Sequence, residues 1–129
     1  MSEPIVFISR NRVKEGGLEG FKELFREVAR TLEAEKPGTV VYLAYVSDDG
    51  TELSIVHVFP DADAMDLHLQ GVAERAQKAF EFIETKGYEI YGAPSETTLE
   101  TMRAFASSGG VPLSVQRERV GGYLRAGSG

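Results

Sequence analysis

Two histidines are the side chains of this sequence best suited to proton transfer. His68 lies among apolar residues at helical spacing, and His57 lies on a predicted strand. An imidazole titrates near neutral pH and stays neutral when buried, so a buried histidine can act as a general base. We therefore predict that His68 is the catalytic base. The alternative is a histidine of the core or of a dimer interface with one satisfied hydrogen bond.

His57 shares its predicted strand face with Leu53, Ile55 and Phe59. Because side chains two residues apart point the same way on a strand, His57 faces either a pocket or a partner chain. We include it among the substrate-binding candidates, with a structural role as the alternative. Two histidines without a third ligand at a suitable spacing do not define a metal site, so neither a metal nor a cofactor is predicted.

Three other polar side chains of the predicted strands are candidates for the substrate-binding site. Asn11 lies on one face of the first predicted strand, and its alternative role is to bond a neighbouring turn. Tyr42 and Tyr45 lie on opposite faces of the second predicted strand, so only one of them can face a pocket. A tyrosine supplies an apolar wall with one hydroxyl, and ordinary sheet packing is the alternative for each.

The elements that must position these residues are predicted in the order β-α-β-β-α-β. Strands are predicted at residues 5–13, 40–46, 52–59 and 88–91 from their apolar patterns. A helix from residue 18 ends before Pro37, and a second begins at the N-cap Asp61 and ends at the Lys86-Gly87 stop. Gly71 is a candidate break in the second helix. This order is that of the ferredoxin-like split βαβ motif.

A further helix and strand are predicted after this motif. Ser95 is the predicted cap of the helix, residues 107–110 a flexible joint, and residues 113–124 the last strand. We predict one domain at residues 1–125, with a core at about 5–91 and a C-terminal extension at 92–125. Residues 126–129 are predicted to be a loose tail.

The strand at residues 40–46 does not alternate between apolar and polar side chains. A sheet with helices on one face and water on the other should alternate. Both faces of this strand therefore need cover, which indicates helices on one side and a second copy of the chain on the other.

Composition narrows the classes of partner. The 129 residues carry a formal net charge of −6, which argues against nucleic acid and against anionic membrane surfaces. No apolar run has the length of a membrane span. The chain has no cysteine and shows no signal-peptide pattern, so we expect a cytoplasmic protein without disulfides.

Five short features together resemble a known family. They are Pro37-Gly38, the strand at 40–46, the Asp49-Gly50 turn, the strand at 53–59 and the helix start at 61–70. On these features the chain resembles the dimeric α+β barrel superfamily, close to the antibiotic-biosynthesis-monooxygenase domain. The resemblance implies an α+β ferredoxin-like fold assembled as a homodimer, with a pocket between sheet and helices in each protomer. His68 matches the usual helix histidine of the family.

The resemblance also implies an activity. It indicates a small-molecule oxidoreductase, similar to cofactor-independent monooxygenases that act on phenolic or quinol-type substrates. His68 would deprotonate the substrate, and Asn11 with one tyrosine would hold the oxyanion. The chain departs from the family pattern in having no tryptophan, a pocket residue of several oxidising and haem-degrading members.

Two other functions stay open. One is a non-enzymatic dimer that is structural or binds a small apolar or aromatic ligand, which the missing tryptophan favours. The other is an isomerase or lyase that uses His68 without oxygen.

Overall fold

The computed structural model describes residues 3–125, and the predicted tail at 126–129 lies outside them. The strands of the described part are β1 (Ile5–Val13), β2 (Val41–Val46), β3 (Glu52–Phe59), β4 (Ile83–Tyr91) and β5 (Leu113–Gln116). The helices are α1 (Leu18–Glu35), α2 (Ala62–Leu69), α3 (Val72–Ala79) and α4 (Glu96–Gly109). None of these helices is both long enough and apolar enough to cross a membrane.

The five strands form one mixed sheet in the order β2-β3-β1-β4-β5. β1 is antiparallel to β3 and β4, β2 is antiparallel to β3, and β5 is parallel to β4. The element order is β-α-β-β-α-β, with α2 and α3 together forming the second helical unit, followed by α4 and β5. This confirms the predicted ferredoxin-like α+β fold with an added helix and strand.

One face of the sheet, the core face, packs against the helices. Ile5 and Phe7 of β1 are buried there with Phe59 of β3, Ile90 of β4 and Met65 of α2. Burial of each such side chain stabilises the fold by about 1.5–3 kcal/mol. The odd-numbered residues of β1 from 5 to 11 are all buried, so the alternation of this strand fixes which of its side chains reach the helices.

The opposite, outer face of the sheet is also largely apolar. Its apolar side chains are Val6, Ile8, Val41, Leu43, Tyr45, Val56, Val58 and Tyr91. Leu43 and Tyr45 of β2 are 47% and 63% exposed. The predicted lack of alternation in β2 is therefore present in the fold, because both of its faces carry apolar side chains.

The helical unit between β3 and β4 begins and breaks where the sequence indicates. The carboxylate of Asp61, the predicted N-cap, accepts a hydrogen bond of 2.8 Å from the backbone N of Ala64. Gly71 separates α2 from α3 with a φ of 80°, a left-handed conformation that glycine adopts without a side-chain clash.

The predicted end of this unit at Lys86-Gly87 is wrong. α3 ends at Ala79, and Gly87 lies inside β4, which begins at Ile83 rather than at residue 88. Ile83 continues the helical spacing of the apolar stripe, but in the fold it pairs with Val13 and extends the sheet.

α4 begins as predicted and ends later than predicted. The Ser95 hydroxyl accepts a hydrogen bond of 3.1 Å from the backbone N of Thr98 and so caps the helix. The helix continues to Gly109 and is closed by Gly110 in the left-handed conformation. The predicted flexible joint at 107–110 is therefore mostly the last turn of α4.

β5 is shorter than predicted. It ends at Gln116 instead of residue 124; its last partner in β4 is Tyr91, and the backbone N of Gly92 donates to the Gln116 carbonyl oxygen at 2.8 Å. Arg119 lies beyond the sheet, and its guanidinium pairs with Glu3 at 3.2 Å.

Candidate functional site

A cavity of about 120 Å³ lies between the core face and helices α2, α3 and α4. Its wall is mostly apolar, with aromatic rings from each layer, among them Phe7, Phe80 and Phe105. An apolar cavity of roughly 150 Å³ holds benzene, so a cavity of this size suits a small ligand with about one aromatic ring. The polar side chains of the wall are Ser9, Asn11, Tyr42, His57, His68, Arg75, Thr85 and Tyr88.

His57 lies in the middle of the core face, where β3 pairs with β1 on one side and β2 on the other. Its ring stacks on Phe7 with centroids 4.6 Å apart. Its Nδ1 lies 3.0 Å from the carbonyl oxygen of Phe7. Because a carbonyl only accepts, Nδ1 carries the hydrogen, and Nε2 of the neutral ring has a free lone pair. Burial lowers the pKa of His57 to about 4.

His68 lies on the sheet-facing side of α2 and is 2% exposed. Its Nδ1 is 2.8 Å from the hydroxyl oxygen of Thr39, which can donate or accept. The His57 ring stands nearly perpendicular to it at a centroid distance of 5.0 Å. Burial, followed by the positive fields of His57, Arg75 and Lys36, lowers the pKa of His68 to about 3. Both imidazoles are therefore neutral near pH 7.

Both histidines line the cavity. Within residues 3–125, each ring makes its hydrogen bond through Nδ1. In the same part of the chain, no fully buried side-chain nitrogen or oxygen lacks a partner. Each Nε2 is therefore not fully buried. The described residues contain no cluster of three or more His, Asp or Glu side chains that could bind a metal ion.

The two tyrosines of β2 lie on opposite faces, as predicted. Tyr42 pairs across the strands with His57 on the core face, and its ring packs on Phe25 at 4.7 Å. Burial raises the pKa of Tyr42 to about 12, so its hydroxyl stays protonated and can donate. Tyr45 belongs to the outer face and does not line the cavity, which corrects its place among the substrate-binding candidates.

Asn11 lies in the cavity wall, and its amide is already engaged by the protein. Its Nδ2 donates to the carbonyl oxygens of Ser9 (3.1 Å) and Leu53 (3.4 Å), and its Oδ1 accepts from the Thr85 hydroxyl at 3.0 Å. These bonds join three strands where the register of β1 against β4 shifts. Asn11 is four residues along β1 from Phe7, or about 13 Å, and so stands apart from the histidines.

Arg75 of α3 is a cavity residue absent from the predicted site. Its guanidinium crosses the break between α2 and α3 and donates to the carbonyl oxygens of Gln70 (3.0 Å) and His68 (2.5 Å). Burial lowers the pKa of Arg75, although a guanidinium remains charged in proteins. A sequence signal was present, because Arg75 stands three residues after Val72 and one before Ala76, at positions of the apolar stripe.

The C-terminal extension supplies part of the wall. Met102 and Phe105 of α4 line the cavity from the side opposite the sheet. The Asp66 carboxylate of α2 accepts hydrogen bonds from the hydroxyls of Ser95 (2.6 Å) and Thr98 (2.5 Å), which fixes α4 against α2. The extension therefore covers the cavity of its own chain.

The sequence matches one protein family. The family model described as antibiotic biosynthesis monooxygenase matches residues 4–81, which is more than half of the chain and extends from β1 to α3. No curated protein matches the chain at the sequence level.

Solved structures share the fold at low sequence identity. The crystal structure of MupZ from Pseudomonas fluorescens is similar over 96% of each chain, with 20% identity and a TM-score of 0.72. SnoaB from Streptomyces nogalater, a cofactor-independent oxygenase, is similar over 73% of this chain and 96% of its own, with 21% identity and a TM-score of 0.60. Rv0793 from Mycobacterium tuberculosis covers 73% of this chain and 98% of its own, with 19% identity and a TM-score of 0.59.

Proposed function

Because the chain belongs to the antibiotic biosynthesis monooxygenase family, we propose that it is a cofactor-independent monooxygenase for a small phenolic or quinol-type substrate. The observation that carries this proposal is the pair of neutral, buried imidazoles at one wall of an apolar cavity, His57 and His68. The fold neighbour from Streptomyces nogalater is a cofactor-independent oxygenase, which supports the same class of reaction.

His68 is the proposed base. When its Nδ1–H donates to the Thr39 hydroxyl, Nε2 carries the lone pair and can take a proton from the substrate. Tyr42 donates to the oxyanion that forms, since its hydroxyl stays protonated. The Nε2 of His57 accepts a hydrogen bond from a second substrate hydroxyl, which favours a quinol over a simple phenol.

The proposed substrate has a ring CH₂ group in its keto form. His68 removes one proton from this carbon, and the carbanion adds dioxygen to give a hydroperoxide after the proton returns. Removal of the second C–H proton forms the carbonyl and breaks the O–O bond, and the departing hydroxide takes up that proton as water. One oxygen atom enters the product, and all the electrons that reduce dioxygen come from the oxidised carbon.

Oxygen consumption by the purified protein with one-ring quinols such as hydroquinone, which match the size of the cavity, tests this proposal. Removal of a general base typically lowers the rate by about 10²–10⁴, so we expect a loss of this size in kcat for His68→Gln. Tyr45→Phe is the matched control, because Tyr45 lies outside the cavity and should leave the rate unchanged. Equal rates for the wild type and His68→Gln would show that His68 is not the base.

A non-enzymatic ligand-binding protein is the second candidate. The lowered pKa values of His68 and His57 favour it, because an imidazole that resists protonation is a weak base in the empty cavity. This candidate predicts ligand binding without oxygen consumption. An isomerase or lyase would instead turn over its substrate under nitrogen, so assays in air and under nitrogen separate the three functions.

We also propose that the protein is a homodimer in which a second copy covers the outer face. The exposed apolar side chains of β2, Leu43 and Tyr45, support this assembly, as does membership of a family that is typically dimeric. The cytoplasmic location stays a prediction.

A further inference from the structure

The wall of the cavity carries one formal charge. Its lining includes Arg75 but, within the described part of the chain, no Asp or Glu side chain. With His57 and His68 neutral, the cavity has a net charge of +1 near pH 7. An apolar cavity with a single cation is suited to a ligand that carries one negative charge.

Among residues 3–125, Arg75 is half-buried, whereas the other arginines are exposed. Arg10, Arg12 and Arg119 are each paired with a glutamate at 2.5–3.2 Å, but Arg75, like several of the exposed arginines, has no carboxylate oxygen within 4.0 Å in this part of the chain. Its two hydrogen bonds go to backbone carbonyls, which satisfy two of the N–H groups and leave the charge uncompensated. A guanidinium has five N–H donors, so three remain for a ligand.

The contacts of Arg75 also hold it in place. The backbone carbonyls of His68 and Gln70 fix the guanidinium at the break between α2 and α3. The guanidinium therefore lies against the backbone of His68. A planar, fixed guanidinium can bind a carboxylate through two parallel hydrogen bonds. A ligand anchored there lies beside the imidazoles without displacing any ion pair of the protein.

We propose that Arg75 anchors the carboxylate of the ligand, which is a small hydroxylated aromatic acid. This inference rests on the proposed function, since it names the substrate class of the same cavity. The ring occupies the apolar space, the carboxylate meets Arg75, and a hydroxyl reaches the histidines. Arg75 acts as a specificity residue, and it takes no proton in the reaction.

Binding of para-hydroxybenzoate and of its neutral isostere para-hydroxybenzamide, measured by calorimetry at low salt, tests the proposal. The wild type should bind the acid at least about tenfold more tightly than the amide. Arg75→Gln should bind both equally, with its affinity for the amide unchanged. Arg75→Lys should keep part of the preference, because lysine retains the charge without the planar fork. Arg103→Gln, an exposed arginine of α4, is the matched control and should behave as the wild type.

The preference for the acid separates an anchor from a purely structural arginine. If Arg75 only held the two helices together, Arg75→Gln would lower stability and weaken both ligands alike. Equal binding of acid and amide by the wild type, binding of the acid weaker than about 1 mM, or a preference that survives Arg75→Gln would each overturn the proposal. A protein that prefers the acid but consumes no oxygen with any substrate keeps this inference and refutes the monooxygenase. A protein that consumes oxygen with neutral phenols but does not prefer the acid supports the monooxygenase and refutes the role of Arg75 as an anchor.

Discussion

Two buried, neutral histidines should make this protein sensitive to mild acid. In the unfolded chain an imidazole takes up a proton at about pH 6.5. In the folded protein, burial lowers the pKa of His57 to about 4, and the pKa of His68 is lowered to about 3. Between the unfolded pKa of about 6.5 and these lowered pKa values, the unfolded state binds more protons than the folded state. The free energy of unfolding therefore falls as the pH falls.

The size of the effect follows from the two pKa values. One pH unit corresponds to about 1.4 kcal/mol for each proton, so His57 alone accounts for about 3 kcal/mol between about pH 6.5 and pH 4. His68 contributes a similar loss over the same range, and its contribution continues to lower the free energy of unfolding down to about pH 3. Together they predict a slope of roughly 2.7 kcal/mol per pH unit, which is large against a typical stability of about 5–15 kcal/mol.

Urea unfolding at a series of pH values and one fixed protein concentration measures this slope. The range from about pH 6 to about pH 5 isolates the histidines, because carboxylates titrate mainly below it. His57→Gln does not titrate, and its amide can still donate to the Phe7 carbonyl, so we expect the slope to fall to about half. Tyr45→Phe should leave the slope unchanged.

Two results would refute the reasoning. Stability that stays constant from about pH 6.5 to pH 5 would show that the folded protein accepts the protons, and so that the imidazoles are not held neutral. An unchanged slope in His57→Gln would show that other groups cause the acid sensitivity.

Two further predictions concern the outer face and the polar network of the cavity. Leu43→Glu should convert the proposed dimer to a monomer in light scattering, because it would bury a charge between the two copies. Leu67→Glu is the control, since Leu67 of α2 is 54% exposed. A Leu43→Glu protein that is still a dimer would contradict the proposed interface. Asn11→Ala should lower the free energy of unfolding by about 1–3 kcal/mol in urea, because it leaves the carbonyls of Ser9 and Leu53 and the Thr85 hydroxyl without their partner. Unchanged stability would show that water replaces the amide.

Much of the fold was predictable because local and tertiary signals agree. β1 and β3 have the predicted bounds, since their apolar patterns match the face that the helices cover. The end of the second helical unit was not predictable in this way. Ala79 and Ile83 both fit one helical stripe, and only the pairing of Ile83 with Val13 on a distant strand assigns the second of them to the sheet.

The candidate site was predictable in part for a related reason. Periodicity placed His68 on the apolar side of its helix, but it left open which of Tyr42 and Tyr45 faces a pocket and which sheet face His57 takes. In the fold, His57, His68 and Tyr42 meet around one wall of the cavity. Periodicity cannot tell how far apart two core-facing residues lie, so Asn11 shares the face but not the location. Arg75 was missed because a charge is normally assigned to the solvent side of a helix, although its spacing placed it with the apolar residues.

The shape of the cavity depends in part on residues outside the segment that the family model matches. The family match ends at residue 81, whereas Thr85, Tyr88, Met102 and Phe105 complete the wall. The neighbour from Pseudomonas fluorescens is similar over 96% of the chain, so the addition of a helix and strand is shared with that fold, whereas SnoaB covers only 73%. The extension therefore sets part of the steric limit of the cavity, whereas its formal charge comes from Arg75, inside the segment that the family model matches.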